Sequence, residues 1–210
     1  MAKLTHRKNI GRKKDLTCIV GIAESGRVFM GGDSAGVDGS DNMTIRKDSK
    51  VFILDDRFII GFTSSFRMGQ VLQYKLKVPI QKENQCDFEF MVTDFIDSVK
   101  ESFKENGCEE GVFLVGYKGT LYTIYGDFQV EMTTDQVHAV GCGATYALGS
   151  LYASGGGNPN LRILTALRAA EHYSSGVSSP FTFKHLGSGD DFDKSEEDAF
   201  ASTNAEDDDW

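Results

Sequence analysis

Thr17, Asp33 and Lys50 bring a hydroxyl, a carboxylate and an ammonium into one short stretch of chain, the side-chain types that acyl transfer uses when they converge. A threonine hydroxyl is a weak nucleophile and needs a base within about 2.6–3.2 Å. If Thr17 were the chain terminus, its own α-amino group, with an unperturbed pKa of about 7.7–8.0, could take the proton near neutral pH, and one residue would supply both partners. Singly, a threonine at a strand start, an aspartate after Gly31-Gly32 and a lysine opening a strand are ordinary structural residues. Their order and spacing, with glycine turns between them, set them apart. Other chemistries find little support. The chain has no Gly-x-Ser-x-Gly elbow, no His-Glu-x-x-His and no phosphate loop ending in Gly-Lys-Ser/Thr. Gly141-Cys142-Gly143 precedes a helical pattern, but Tyr146 stands where a dinucleotide-binding turn needs its third glycine.

At 210 residues, 40% hydrophobic and 25% charged, the chain is the size and composition of one soluble domain with tails. No apolar run reaches the roughly 18 residues of a bilayer span and no secretory signal opens the sequence, so the expected location is cytoplasmic, with no membrane partner. The four cysteines form no Cys-x-x-Cys pair and are expected to be reduced thiols. Charge is uneven. Residues 1–16 carry six Lys/Arg and one Asp, a basic leader of +5, whereas residues 187–210 carry ten Asp/Glu and one Lys, giving −9. The remaining 17–186 has a net charge of −5, which argues against nucleic acid as a partner. The acidic end is expected to be a disordered, solvated tail. A calcium loop starting at Asp191 would need Gly at 196 and Glu at 202, where Glu196 and Ser202 stand.

Between these ends the pattern places strands at 18–23, 27–33, 50–55 and 57–63, each rich in Val, Ile and Phe and joined by turn residues. A helix is expected from Ser64 to about Leu76, and a longer one over 87–105 with Phe88, Val92, Phe95, Val99 and Phe103 as its core stripe. Three strands follow (111–118, 119–126, 127–132), then a helix after Gly143. A second helix is capped by Asn158 with Pro159 in its first turn, and a strand at 180–186 closes the domain. Segregated blocks of strands and helices with hairpin-length links predict an α+β layered domain of antiparallel sheets.

The segment TCIVGIAESGRVFMGGDSAGV, with Lys50 following 17 residues after Asp33 in KVFILDDRFIIGFTSS, resembles the proteasome β-subunit and HslV family of N-terminal nucleophile hydrolases. Thr17, Gly26, Asp33, Lys50 and Gly61 carry the match, and it resumes at AVGCGATYALGS (139–150). Over residues 17–186 the resemblance implies a four-layer αββα sandwich, two antiparallel sheets flanked by helix pairs. It also implies Thr17 as nucleophile and the Gly61 backbone N–H as oxyanion donor. Lys50 would then hold the terminal amine neutral and stabilise the alkoxide, while Asp33 balances and orients Lys50. No metal or organic cofactor is needed for such chemistry. A peptide or unfolded protein substrate, a homo-oligomeric ring and an ATP-dependent unfoldase are the implied partners.

Three positions depart from the family pattern. Cys142 replaces the serine of the Gly-Ser-Gly turn, His172 stands where a carboxylate is usual three residues before Ser175, and Leu16 replaces the glycine before the threonine. Cys142, Ser175 and His172 are the expected supporting residues. Three readings stay open: a threonine peptidase freed of residues 1–16, a noncatalytic subunit of the same fold that keeps its leader, and an amidase that uses Cys18.

Overall fold

The computed structural model describes residues 16–38 and 42–187. The expected basic leader, apart from Leu16, and the expected disordered acidic tail, apart from Gly187, lie outside the described residues.

The chain opens with β1 (Cys18–Glu24) and β2 (Arg27–Gly32), then the short β3 (Ala35–Val37) and β4 (Met43–Ile45), then β5 (Val51–Leu54) and β6 (Phe58–Phe62). Helix α1 (Phe66–Tyr74) leads to α2 (Asp87–Phe90), a π-helical turn over Met91–Phe95 and α3 (Ile96–Glu105). Strands β7 (Phe113–Tyr117), β8 (Thr120–Ile124), β9 (Val130–Glu131) and β10 (Val137–Gly141) precede α4 (Ala144–Ala153), α5 (Pro159–Tyr173) and β11 (Thr182–Leu186). Among the described residues no helix is long and apolar enough to cross a membrane.

Local chemistry explains the connections. Ser25-Gly26 and Lys118-Gly119 each place two consecutive residues at positive φ, the left-handed pair that a two-residue hairpin needs to match strand twist. The Ser65 side chain caps α1 by accepting from Met68 N, and Asn158 caps α5 by accepting from Asn160 N and Leu161 N.

All strand pairs are antiparallel, in a four-stranded sheet ordered β10-β1-β2-β11, a five-stranded sheet ordered β5-β6-β7-β8-β9 and a β3-β4 pair. Three apolar clusters hold them. The first packs Phe58, Ile60, Phe113 and Tyr117 of the five-stranded sheet against Val71, Phe90, Phe95 and Val99 of the first helices, with Phe58 stacked 4.5 Å from Tyr117 and 5.3 Å from Phe95. The second packs Cys18, Val20 and Phe29 against Ala147, Leu151, Leu164 and Leu167 of α4 and α5. The third joins the two sheets through Ile19, Met30, Val51, Ile59, Leu114 and Leu121. Each large side chain so buried contributes roughly 1.5–3 kcal/mol.

The expected stripe on the long helix is only half right. Phe95, Val99 and Phe103 are buried, but Phe88 and Val92 are 43% and 37% exposed, and Phe90 and Met91 are buried instead. The π turn accounts for this: its extra residue rotates everything before it relative to everything after, so one 3.6-residue period cannot fit both halves. Strands β3, β4 and β10 were not expected from the pattern.

Register decides where the ends of these strands meet. Ile19 lies opposite Gly32, Cys18 opposite Gly141, Thr182 opposite Gly32 and Val51 opposite Gly61. The residues just before β1 and β5 and just after β2, β6 and β10 therefore share one end of the molecule. Gly61 illustrates how close the sheets approach, since a Cβ built there would lie 2.5 Å from Ile19 Cγ2 and 2.6 Å from Met30 Sδ. Gly61→Ala is expected to lower stability by about 1–3 kcal/mol through overpacking, read as a fall in the denaturant midpoint. An unchanged midpoint would show that the inter-sheet contact is looser than described.

Candidate active site

At that shared end Thr17 Oγ1, Lys50 Nζ and Asp33 Oδ1 form a continuous buried chain. Lys50 donates to Thr17 Oγ1 at 2.9 Å and to Asp33 Oδ1 at 2.8 Å. The side chains of Lys50 and Asp33 are 1% and 0% exposed, and Thr17 is 5% exposed. Asp33 is held further by two backbone donors, Cys18 N on Oδ1 and Ala35 N on Oδ2, both at 2.9 Å. Burial pushes the Asp33 carboxyl up and the Lys50 ammonium down, each opposed by the attraction of the other. Thr17 Oγ1 in turn donates to the Leu16 carbonyl at 2.6 Å, so in the intact chain the hydroxyl lies directly against the peptide bond that precedes it.

Gly61, the expected oxyanion donor, is not among the residues that bound the space beside Thr17. Gly61 sits inside β6 between Val51 and Leu114. Phe62 N–H goes to the Lys50 carbonyl at 3.1 Å on the β5 side, so strand alternation aims Gly61 N–H the other way, toward β7. The amides beside Thr17 belong to the turn that follows the strand. A cavity of about 50 Å³ there is bounded by Thr17, Lys50, Phe62, Thr63, Ser64 and Phe66. Thr63 N donates to Val112 O and Ser65 N to Thr63 O, whereas Ser64 N has no hydrogen-bond partner among the described residues. Ser64 has φ +65°, a left-handed conformation costing a non-glycine residue about 1–2 kcal/mol, and Val112 N donates to its Oγ at 3.3 Å. Nothing in the residue type signals this turn.

Of the supporting residues, Cys142 is at the site and the other two are not. Cys142 follows β10, its Sγ 3.1 Å from Ser174 Oγ, and Gly143 N donates to Thr17 O at 3.4 Å. Leu16 packs on the same spot: a Cβ at Gly176 would lie 2.5 Å from Leu16 Cδ2 and 2.9 Å from Cys142 Sγ. Ser175 and His172 are exposed, and the His172 ring stands edge-on to Tyr173 at 4.6 Å. Helix α5 ends at Tyr173 with Ser174 as its C-cap, which turns Ser174 rather than Ser175 inward. Glu171, beside His172, accepts from Ser179 N at 2.5 Å. The same segment clamps the residue after Asp33, with Ser34 N donating to Ser178 O at 2.9 Å and Ser34 Oγ to Pro180 O at 2.5 Å. The sequence reading missed Ser34, Ser64 and Ser174.

Cys18 is fully buried in the packing with α4 and α5, and that burial, reinforced by the Asp33 charge, pushes its thiol well above the ordinary range. A thiolate nucleophile at this position is disfavoured. Among the described residues no cluster of three or more His, Cys, Asp or Glu could hold a metal ion. A larger cavity of about 640 Å³ opens at the opposite end of the strands, between Gly26 and Lys118, away from all of these groups.

No protein-family model matches the chain, and no curated protein matches it by sequence. Solved structures do match by shape. BPH of Thiobacillus denitrificans in complex with epoxomicin is 14% identical with a TM-score of 0.68, over 83% of this chain and 100% of that one. Eukaryotic HslV from Trypanosoma brucei is 19% identical with a TM-score of 0.61, over 82% and 100%. The Anbu (Gly-1) mutant from Hyphomicrobium sp. strain MC1 is 14% identical with a TM-score of 0.61, over 92% and 99%. At such identity the likeness to these structures is one of fold.

The buried pair sets a stability test. Asp33→Asn leaves the Lys50 ammonium buried without a counter-charge and is expected to cost about 3–5 kcal/mol in denaturant unfolding. The double variant Asp33→Asn/Lys50→Met removes both charges and should cost less than Asp33→Asn alone. Costs that simply add would contradict the pairing.

Proposed function

We propose that this chain is a threonine-type peptidase subunit of the proteasome/HslV kind, with Thr17 as its nucleophile once residues 1–16 are removed. The observation that carries the reading is the buried chain from Asp33 through Lys50 to the Thr17 hydroxyl, on a fold shared with BPH, HslV and Anbu. The remaining expectations of the sequence belong to the same proposal: a four-layer αββα sandwich, a homo-oligomeric ring and delivery of unfolded chains by an ATP-dependent unfoldase.

In this mechanism the freed α-amino group of Thr17 accepts the Oγ1 proton as the oxygen attacks the substrate carbonyl carbon. Lys50, already donating to Oγ1 at 2.9 Å, stabilises the charge on that oxygen, and Asp33 fixes the ammonium in place. The Ser64 N–H, rather than that of Gly61, receives the carbonyl oxygen as it becomes negative. The amine then gives its proton to the leaving nitrogen, leaving an ester on Thr17, and water hydrolyses that ester with the same amine as base. Gly143 N on Thr17 O and the Cys142–Ser174 pair beside it set the orientation of the terminal residue.

A noncatalytic subunit that retains its leader is the second reading, favoured by Leu16 packing on Gly176 and Cys142 and by its carbonyl occupying the Thr17 hydroxyl. Intact mass of the purified protein separates the two. Loss of residues 1–16, together with abolition of that loss and of peptide hydrolysis in Thr17→Ala, supports the peptidase, whereas a stable full-length mass supports the scaffold. Lys50→Ala should lower kcat/KM by more than about tenfold. The amine must be neutral to accept a proton, so kcat/KM is expected to fall as pH drops through an apparent pKa no higher than about 8. A rate flat from pH 6 to 9 would count against a terminal amine as the base.

A further inference from the structure

We infer that the cavity at the end of the strands opposite Thr17 is the docking site of this chain's own acidic segment, residues 188–193. The inference does not depend on the peptidase reading, because Thr17, Asp33 and Lys50 do not border this space. The cavity holds about 640 Å³, within the range of roughly 300–1,000 Å³ that ligand sites occupy. Val28, Tyr117 and Leu186 give it apolar wall, and Arg57 and Lys118 give it two cations. Gly187, the last described residue, is itself part of the wall, so the chain leaves the domain at the cavity. Its exit is fixed. A Cβ at Gly187 would lie 2.7 Å from Gly26 O and 2.8 Å from Arg27 Cα, and its φ is +139°, so glycine is what brings the chain this close to the β1–β2 turn.

The residues that follow, Ser188-Gly189-Asp190-Asp191-Phe192-Asp193, carry three carboxylates around one aromatic ring. All of them lie within about 20 Å of Gly187 even at full stretch. The two cations have donors to give. Arg57 donates to Pro79 O at 3.3 Å and to Asp55 at 3.1 Å, and Lys118 donates to Gln81 Oε1 and to Asp87 at 3.0 Å, fewer bonds than a guanidinium or an ammonium can make. Both ion pairs lie at the surface, with side chains between 35% and 54% exposed, where a pair contributes about 0–1 kcal/mol, so a second carboxylate can share or replace the first at little cost. Asp56 is the one carboxylate among the wall residues, which leaves them net positive. Phe192 takes the apolar wall and the aspartates take the cations; the basic leader, at +5, fits these walls poorly. Tethering supplies the affinity. A segment joined to its site by a few residues meets it at an effective concentration of about millimolar, so contacts too weak to hold a free peptide suffice.

The test is amide hydrogen exchange of the purified full chain, read by mass spectrometry over residues 188–193. Exchange about tenfold or more slower than in an unstructured peptide of the same sequence is expected, with the slowing lost in Arg57→Gln/Lys118→Gln and in Asp190→Asn/Asp191→Asn/Asp193→Asn. The second variant alters no residue of the described domain, so its result does not depend on how the first one folds. Unslowed exchange in the wild type, or slowing that survives in both variants, overturns the inference. A carbodiimide, which joins a contacting amine and carboxylate as an amide with loss of water, identifies the source of the segment. Lys118 is expected to be linked to Asp190, Asp191 or Asp193 in chains of monomer mass after denaturing electrophoresis. Such links confined to chains of dimer mass put a second copy's segment in the cavity and overturn the inference, as do links from Lys118 to Asp87 alone.

Discussion

The Asp33–Lys50 contact is the constraint on which the rest of the site depends. Asp33 follows β2 of the four-stranded sheet and Lys50 precedes β5 of the five-stranded sheet, so their 2.8 Å ion pair ties the two sheets together at one end. Removing two charges from water costs several kcal/mol per ion, and a buried pair repays this only with good geometry and further hydrogen bonds. Here two backbone amides on the carboxylate and the threonine hydroxyl on the ammonium supply them. A small slip between the sheets would break several of these contacts together, and the apolar cluster of Ile19, Met30, Val51 and Leu114 resists that slip. Stability of the inter-sheet core and placement of the Thr17 hydroxyl are in this sense one problem.

How much of this was legible in the sequence follows from the range of the forces involved. The Thr17–Asp33 spacing was readable because two strands and the Ser25-Gly26 turn set it, whereas Lys50 follows the unexpected β3–β4 pair and its place rested on the family resemblance. The oxyanion donor proposed here, the Ser64 N–H, differs from the Gly61 amide that the resemblance implies. A backbone N–H has no residue-type signature, and Gly61 owes its lack of a side chain to the approach of Ile19 and Met30 rather than to substrate. The interior role of Ser174 in place of Ser175 depends on where α5 stops, and helix ends are the least determined feature of a sequence pattern. His172 reads as a supporting residue because it stands three residues before Ser175, where a carboxylate is usual, yet in space its ring packs edge-on to Tyr173.

The elements that escaped notice have a common cause. Strands β3 and β4 are three residues each and too short to show alternation, and β10 merges in sequence with the glycine turn after it. The π turn at Met91–Phe95 defeats a single helical period, so the stripe that included Phe88 and Val92 failed there while Phe95 to Phe103 held. Block order predicts a layered α+β domain of antiparallel sheets, and the αββα layering is what the resemblance adds to it. The apolar clusters pack helices on one face of each larger sheet and form a sheet-to-sheet core between them.

The departures from the family pattern take on physical meaning in this arrangement. Leu16 packs on Gly176 beside Cys142, and its carbonyl accepts the Thr17 hydroxyl, so the residue that precedes Thr17 occupies the surroundings a freed amine would need. Cys18, the other candidate, is withdrawn into the second core by the same strand that presents Thr17. The most direct measurement of the central claim is mass spectrometry of the covalent intermediate, trapped by acid quench during turnover of a slow peptide ester. An acyl group on the hydroxyl of a threonine that begins the polypeptide, with nothing upstream of it, is the result the account predicts. An acyl group on Cys18, or turnover by a chain whose Leu16–Thr17 bond is intact, would contradict it.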